Sequence, residues 1–157
     1  MSYDRDGLIQ FVGKVFQCDW QGLHGIQHWT RVAKHGKTIG KLHGLSKSDL
    51  LIVELFSYLH DSCRQSEGID RDHGQRAAVM ALDLNGLCYD LNDCDLERLC
   101  DAIAGHSFGG ISKDVTIQTC WDADRLDLGR VGIVPSDKYL SKLGAQFINS
   151  AFDLSLQ

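Results

Sequence analysis

Apolar residues recur along this chain at the spacing of buried helix faces. Leu8, Ile9, Phe11, Val12, Val15 and Phe16 mark the inward stripe of a first helix over 4–16. A second pattern, "HGIQHWTRVAKHGKTIGKL", covers 24–42 and stops at "HGLS". Ser46 with Asp49 three residues on resembles a capping box, Asp standing in for Glu, and opens a third helix over 46–61. Its apolar run ends in His60 followed directly by Asp61. After the polar loop "QSEGIDRD" the pattern restarts at His73 in "HGQRAAVMALDL" and ends near Asn85 and Gly86. The segment 91–107 has an acidic start suited to a helix N-terminus. Segments 114–129 and 136–152 supply two more helices. No pair of alternating runs is joined by a hairpin turn, and no repeat, low-complexity tract or interdomain linker interrupts the chain. The chain has a single proline, and glycines fall in the gaps. The pattern predicts an all-α, compact, single-domain bundle of six or seven helices over 1–157.

Composition adds boundaries to that picture. At 157 residues, 43% hydrophobic and 24% charged, the chain is long enough to bury one sizeable core. No apolar stretch approaches the roughly 18 residues of a membrane span, and the first residues hold no apolar signal core, so a cytoplasmic home away from membranes is expected. The formal charge is −5, from 16 basic and 21 acidic residues, with no basic block. Long nucleic acid is therefore not an expected partner, while a local cluster of arginines is still able to hold a small anion. The six cysteines (18, 63, 88, 94, 100 and 120) contain no C-x-x-C pair and are expected as thiols, mostly small core residues. Oligomeric state is not encoded in any of these features.

The helical frame gives meaning to six residues. His28, the adjacent pair His60 and Asp61, His73, His106 and Asp124 fall on different predicted helices or at their ends. Side chains converging from facing helices are how a metal site is assembled in a bundle core. Nitrogen and carboxylate donors without thiolate suit divalent Mn, Fe, Co, Ni, Zn or Mg, one ion or two. Asp61 is short enough to bridge two ions while His60 holds one. The plain alternative is that each histidine is an ordinary hydrogen-bonded core residue, and His24, His35 and His43 are placed in that class or on the surface. His24, four residues before His28 and on its face, is also able to orient the site or touch a substrate.

"LHDS", preceded by "HWTRV" and followed by "DADRLDLG", resembles the HD-domain superfamily of metal-dependent phosphohydrolases over about residues 24–130. The resemblance implies an HD-type helical domain with His28, His60, Asp61 and Asp124 as metal ligands. It leaves Asp122 and Asp127 as capping residues or supports behind the ligands. His73 and His106 match the additional histidines of the two-metal branch, one metal with two supporting histidines being the alternative. The chain lacks the Lys and Gly-Tyr-Pro of the cyclic-dinucleotide branch. Arg64 and Gln65 stand where the alarmone hydrolases carry Glu-Asp, and Arg64 replaces the Glu of the small deoxynucleotidases. The implied activity is hydrolysis of a small phosphorylated metabolite or nucleotide, as a phosphomonoesterase or phosphodiesterase, through a metal-activated water. Asp61 would be central to it, and Arg64 and Arg31, each three residues beyond a ligand, are candidates to grip the phosphate. Arg125 is a weaker candidate, able instead to pair with Asp122. Two other classes share the ligand set: a di-iron oxygenase of the same superfamily, and a metal- or ligand-sensing domain without turnover.

Overall fold

Most helices begin at a side chain that caps them. The computed structural model describes residues 3–157. Asp4 caps α1 (Arg5–Val15), Ser46 caps α3 (Lys47–Leu59), Asn92 caps α5 (Asp93–Gly105) and Asp114 caps α6 (Val115–Leu126), each accepting from a backbone N–H of the first turn. The Ser46–Asp49 capping box forms in both directions. α2 (Ile26–Leu42), α4 (His73–Leu84) and α7 (Ile148–Ser155) start without such a cap. Their placement rests on tertiary packing.

α3 is the central element and touches α1, α2, α4, α5 and α6. Its residues Ile52, Val53, Leu55, Phe56 and Leu59 are buried on nearly every side. Trp29 of α2 is fully buried and meets Phe16 and Trp20 edge-on, at 5.1 and 5.3 Å between ring centroids. Two glycines permit the closest helix approaches. A Cβ at Gly36 would meet Val53 Cγ1 at 2.5 Å, so α2 lies tight on α3. A Cβ at Gly74 would meet the backbone oxygen of Ile103 at 2.8 Å, so α4 lies tight on α5. Arg98 ties three helices together, donating to Asp49 of α3, the α6 cap Asp114 and Thr116.

The architecture is all-α, with no strand among the described residues beyond an isolated bridge between Asn85 and Tyr89. Its C-terminal part departs from the predicted helix over 136–152. Two 3₁₀ turns, Asp137–Tyr139 and Gly144–Phe147, precede α7. The cause is Asp122 of α6, whose buried carboxylate accepts from Ser141 N and Ser141 Oγ, with Gly144 packed so close that a Cβ there would strike it. The cysteines also differ from expectation. Cys120 alone is fully buried; Cys63, Cys88 and Cys100 pack at the edge of the core and Cys94 is exposed. Among the described residues, no helix is long and apolar enough to cross a membrane.

Candidate metal centre

The apolar run of α3 finishes at Leu59, and His60 and Asp61 follow in the turn beyond it. His106 occupies the corresponding place after α5, and His73 is the first residue of α4. His28 projects from the first turns of α2 and Asp124 from the last turn of α6. The close approaches at Gly36 and Gly74 draw these ends together. His28, His60, Asp61, His73 and His106 are buried.

The six side chains form two groups that share one carboxylate. His28 Nε2 lies 3.1 Å from His60 Nε2 and 3.4 Å from Asp124 Oδ1. Asp61 Oδ2 faces the same group, 3.6 Å from His28 and 3.7 Å from His60. Its other oxygen, Oδ1, lies 3.0 Å from His73 Nε2 and 3.5 Å from His106 Nε2, which are 3.0 Å from one another. Asp61 thus spans both groups.

The far side of each imidazole fixes what its near side offers. His60 Nδ1 meets Phe56 O, His73 Nδ1 meets Asp70 O and His106 Nδ1 meets Ile103 O. A carbonyl can only accept, so each Nδ1 carries a proton, and in the neutral ring Nε2 is then the lone-pair nitrogen. His28 Nδ1 reaches Asp127 Oδ2 at 2.7 Å, with the same result. With the rings neutral, four lone-pair nitrogens and two carboxylates face one another without a proton donor of their own. Such a cluster calls for cations.

The donor set fits divalent metal ions. Ligands at about 2.1 Å from an ion stand roughly 3.0 Å apart in octahedral and 3.4 Å apart in tetrahedral coordination, and the separations here run from 3.0 to 3.7 Å. The local field agrees. Burial opposes charge on Asp61 and Asp124, yet positive charge and N–H donation at the surrounding imidazoles, which a bound cation would replace, hold both carboxyls well below the usual range. Burial likewise opposes charge on His28, but Asp124 and Asp127 more than offset it and favour a positive charge at that imidazole. A metal cation at Nε2 satisfies the same field. Ligand histidines backed by a carboxylate or carbonyl are the usual arrangement around bound metals.

Beside the cluster opens a cavity of about 360 Å³, lined among others by Asp61, His106, Asp124, His24 and Arg64. Arg64 Nε donates to Asp61 Oδ1 at 3.2 Å, and its Nη1 to the carbonyls of Ser66 and Gly68. Arg31 is placed elsewhere. Its guanidinium forks onto Asp127 at 2.7 and 3.1 Å and does not line this cavity, so it supports His28 from behind rather than reaching a ligand. Arg125 lines the cavity but does not pair with Asp122; its Nη1 donates to the carbonyls of Gly110 and Tyr139. Asp127, expected as a cap or support, is the carboxylate that orients His28. His24 Nδ1 contacts Glu67 Oε2 at 2.6 Å, and burial lowers its pKa although Glu67 opposes the shift. Arg130, Ser107, Tyr139 and Glu67 were not singled out by the sequence pattern. Arg130, three residues after Asp127, was the one with a readable signal. Glu67 sits in a loop 43 residues from His24 and had none.

No family model matches the chain, and no curated protein matches its sequence. In three dimensions the chain is similar to the crystal structure, at 1.45 Å, of a predicted HD superfamily hydrolase from an uncultured Thermotogales bacterium. The TM-score is 0.74 at 20% identity, over 98% of this chain and 88% of that one. The chain has the HD-domain fold that the motif resemblance implied.

Proposed function

We propose that the protein is a metal-dependent phosphohydrolase acting on a small phosphorylated metabolite or nucleotide. The observation that carries this reading is the double cluster of metal-type donors sharing Asp61, of which Asp61, His106 and Asp124 line an arginine-bearing cavity. His28, His60, Asp61 and Asp124 would hold one ion, and Asp61, His73 and His106 a second. Divalent ions held there would supply an activated water nucleophile and polarise phosphoryl oxygens. Everything else falls to the chain's own groups. Arg64 neutralises charge on the phosphoryl oxygens and orients them. Asp127 and the backbone carbonyls behind the histidines hold each ring in the ligating tautomer. His24, oriented through Nδ1 by Glu67, lines the same cavity and would be placed there to bind or relay a proton.

The arginine lining suits an anionic ligand, and the intact donor set beside it favours turnover over sensing alone. A screen of phosphomonoesters, phosphodiesters and nucleotides with Mn, Co, Ni and Mg tests the reading. Metal-dependent phosphate release by the wild type and none by Asp61→Ala is expected. Absence of release with every metal, or visible iron absorption with dioxygen consumption, would overturn it.

A further inference from the structure

Apart from the exposed Arg71, the arginines of this chain divide into two kinds. Arg5, Arg31, Arg76 and Arg98 are each matched to carboxylates: Glu54, Asp127, Asp70, and Asp49 with Asp114. The three that line the cavity beside the ligand cluster are more deeply buried, at 8% exposure for Arg125, 9% for the Arg130 side chain and 13% for that of Arg64. Burial without a counter-ion is costly for a guanidinium. Yet Arg125 donates only to the carbonyls of Gly110 and Tyr139, and Arg130 to the carbonyls of Leu23 and Asp127. The Asp127 carboxylate lies 3.9 Å from Arg130 and is already taken by His28 and Arg31. Arg64 meets a carboxylate, but it is Asp61, whose charge belongs to the ligand cluster. Arg125 Nη2 is shut off from solvent without any hydrogen-bond partner, and the guanidinium lies 5.3 Å from the Trp121 ring, so contact with a ligand falls to the part of the side chain that lines the cavity. In a chain of net charge −5, three poorly compensated guanidinium groups line one cavity, whose carboxylates among the described residues are Asp61 and Asp124.

One phosphoryl group beside the metal ligands and Arg64 does not account for Arg125 and Arg130. We propose that Arg125 and Arg130, assisted by Arg64, form a second anion subsite, and that the substrate carries a second phosphoryl group a few bonds from the one cleaved. The closeness of the two groups follows from the chain itself. Arg125 is the neighbour of Asp124, and Arg64 touches Asp61. Leu128, Val131 and Tyr139 complete the wall with apolar surface for the organic part of such a molecule. This inference rests on the hydrolase reading for the first phosphoryl position and goes beyond it in naming the substrate as a diphosphate-type ester.

Calorimetric binding of two non-hydrolysable probes, methylphosphonate and methylenediphosphonate, to the Mn-loaded protein tests it. The diphosphonate should bind at least about tenfold more tightly, the scale of one charge-assisted hydrogen-bonded contact. Arg130→Gln should remove about that factor for the diphosphonate and leave methylphosphonate within about twofold, which separates the arginine contribution from chelation by metal. Arg64→Gln serves as a second variant if Arg130→Gln melts well below the wild type, and should weaken both probes, the diphosphonate more. Equal affinities of the two probes, or equal loss of both in Arg130→Gln, would overturn the subsite. Phosphonoacetate binding as tightly as the diphosphonate would overturn the assignment of the second group as phosphoryl. If methylphosphonate fails to bind while the diphosphonate binds in an Arg130-dependent way, the subsite stands and the hydrolase reading fails.

Discussion

Asp61 divides its two oxygens between two sets of imidazoles, 3.6 Å from His28 on one side and 3.0 Å from His73 on the other. Its replacement should therefore remove all bound metal, where loss of a peripheral histidine removes part. Asp61→Ala is expected to retain wild-type far-ultraviolet circular dichroism, because the residue lies beyond the end of α3, and to show neither metal nor turnover. Asp127 tests the support behind a ligand. An amide in its place can offer N–H to His28 Nδ1, which moves the ring proton to Nε2 and blocks ligation. Asp127→Asn should weaken metal binding about 10- to 100-fold by competitive chelator titration, within the range for groups that orient ligands. Wild-type affinity would show that Asp127 serves only to hold Arg31.

His35 makes a prediction with a definite sign. It is buried in α2 with Nε2 unpartnered, and burial pushes its pKa down. A histidine whose folded pKa is depressed stabilises the fold above its unfolded value of about 6.5 and loses that contribution as pH falls through the folded pKa. The denaturant midpoint of the wild type should fall on acidification below about pH 6.5. His35→Phe should fall less over the same range. Parallel decline in both would mean that His35 contributes nothing to the slope.

At the scale of the elements, the site is a set of helix ends brought close by small residues. Gly74 permits α4 to lie against the carbonyls of Ile103 and Ala104, and this places His73 beside His106. Gly74→Ala forces backbone against backbone. It should destabilise the fold by about 1–3 kcal/mol in chemical denaturation and lower metal content by pushing His73 away from its partners. Wild-type stability and metal content would show that the helices adjust without cost. The starts and ends of most helices were readable because caps act locally: Ser46 with Asp49, Asn92 and Asp114 each satisfy N–H groups within three residues. The segment 136–152 kept a helical apolar spacing, yet its part before α7 folded into 3₁₀ turns, where Asp122, far back in α6, captures Ser141. Nothing near residue 141 announces that contact.

For the molecule as a whole, the ligand-type residues could be gathered from the sequence because each stands at a recognisable place on a helix and within a motif. The partners of the arginines could not. Arg31 is engaged by a carboxylate 96 residues away, while Arg125 and Arg130 gain their place from segments at Gly110, Tyr139 and Leu23. Short spacings reveal which side chains share a helix face, but not which distant group has already taken a charge.

The division of the cluster into two groups around Asp61 is most directly tested by metal stoichiometry, measured by elemental analysis after loading with Mn and removal of excess ion. About two ions per chain are expected in the wild type, about one in each of His73→Ala and His106→Ala, and none in Asp61→Ala. A single ion in the wild type, or an unchanged count in both histidine variants, would contradict a binuclear centre bridged by Asp61.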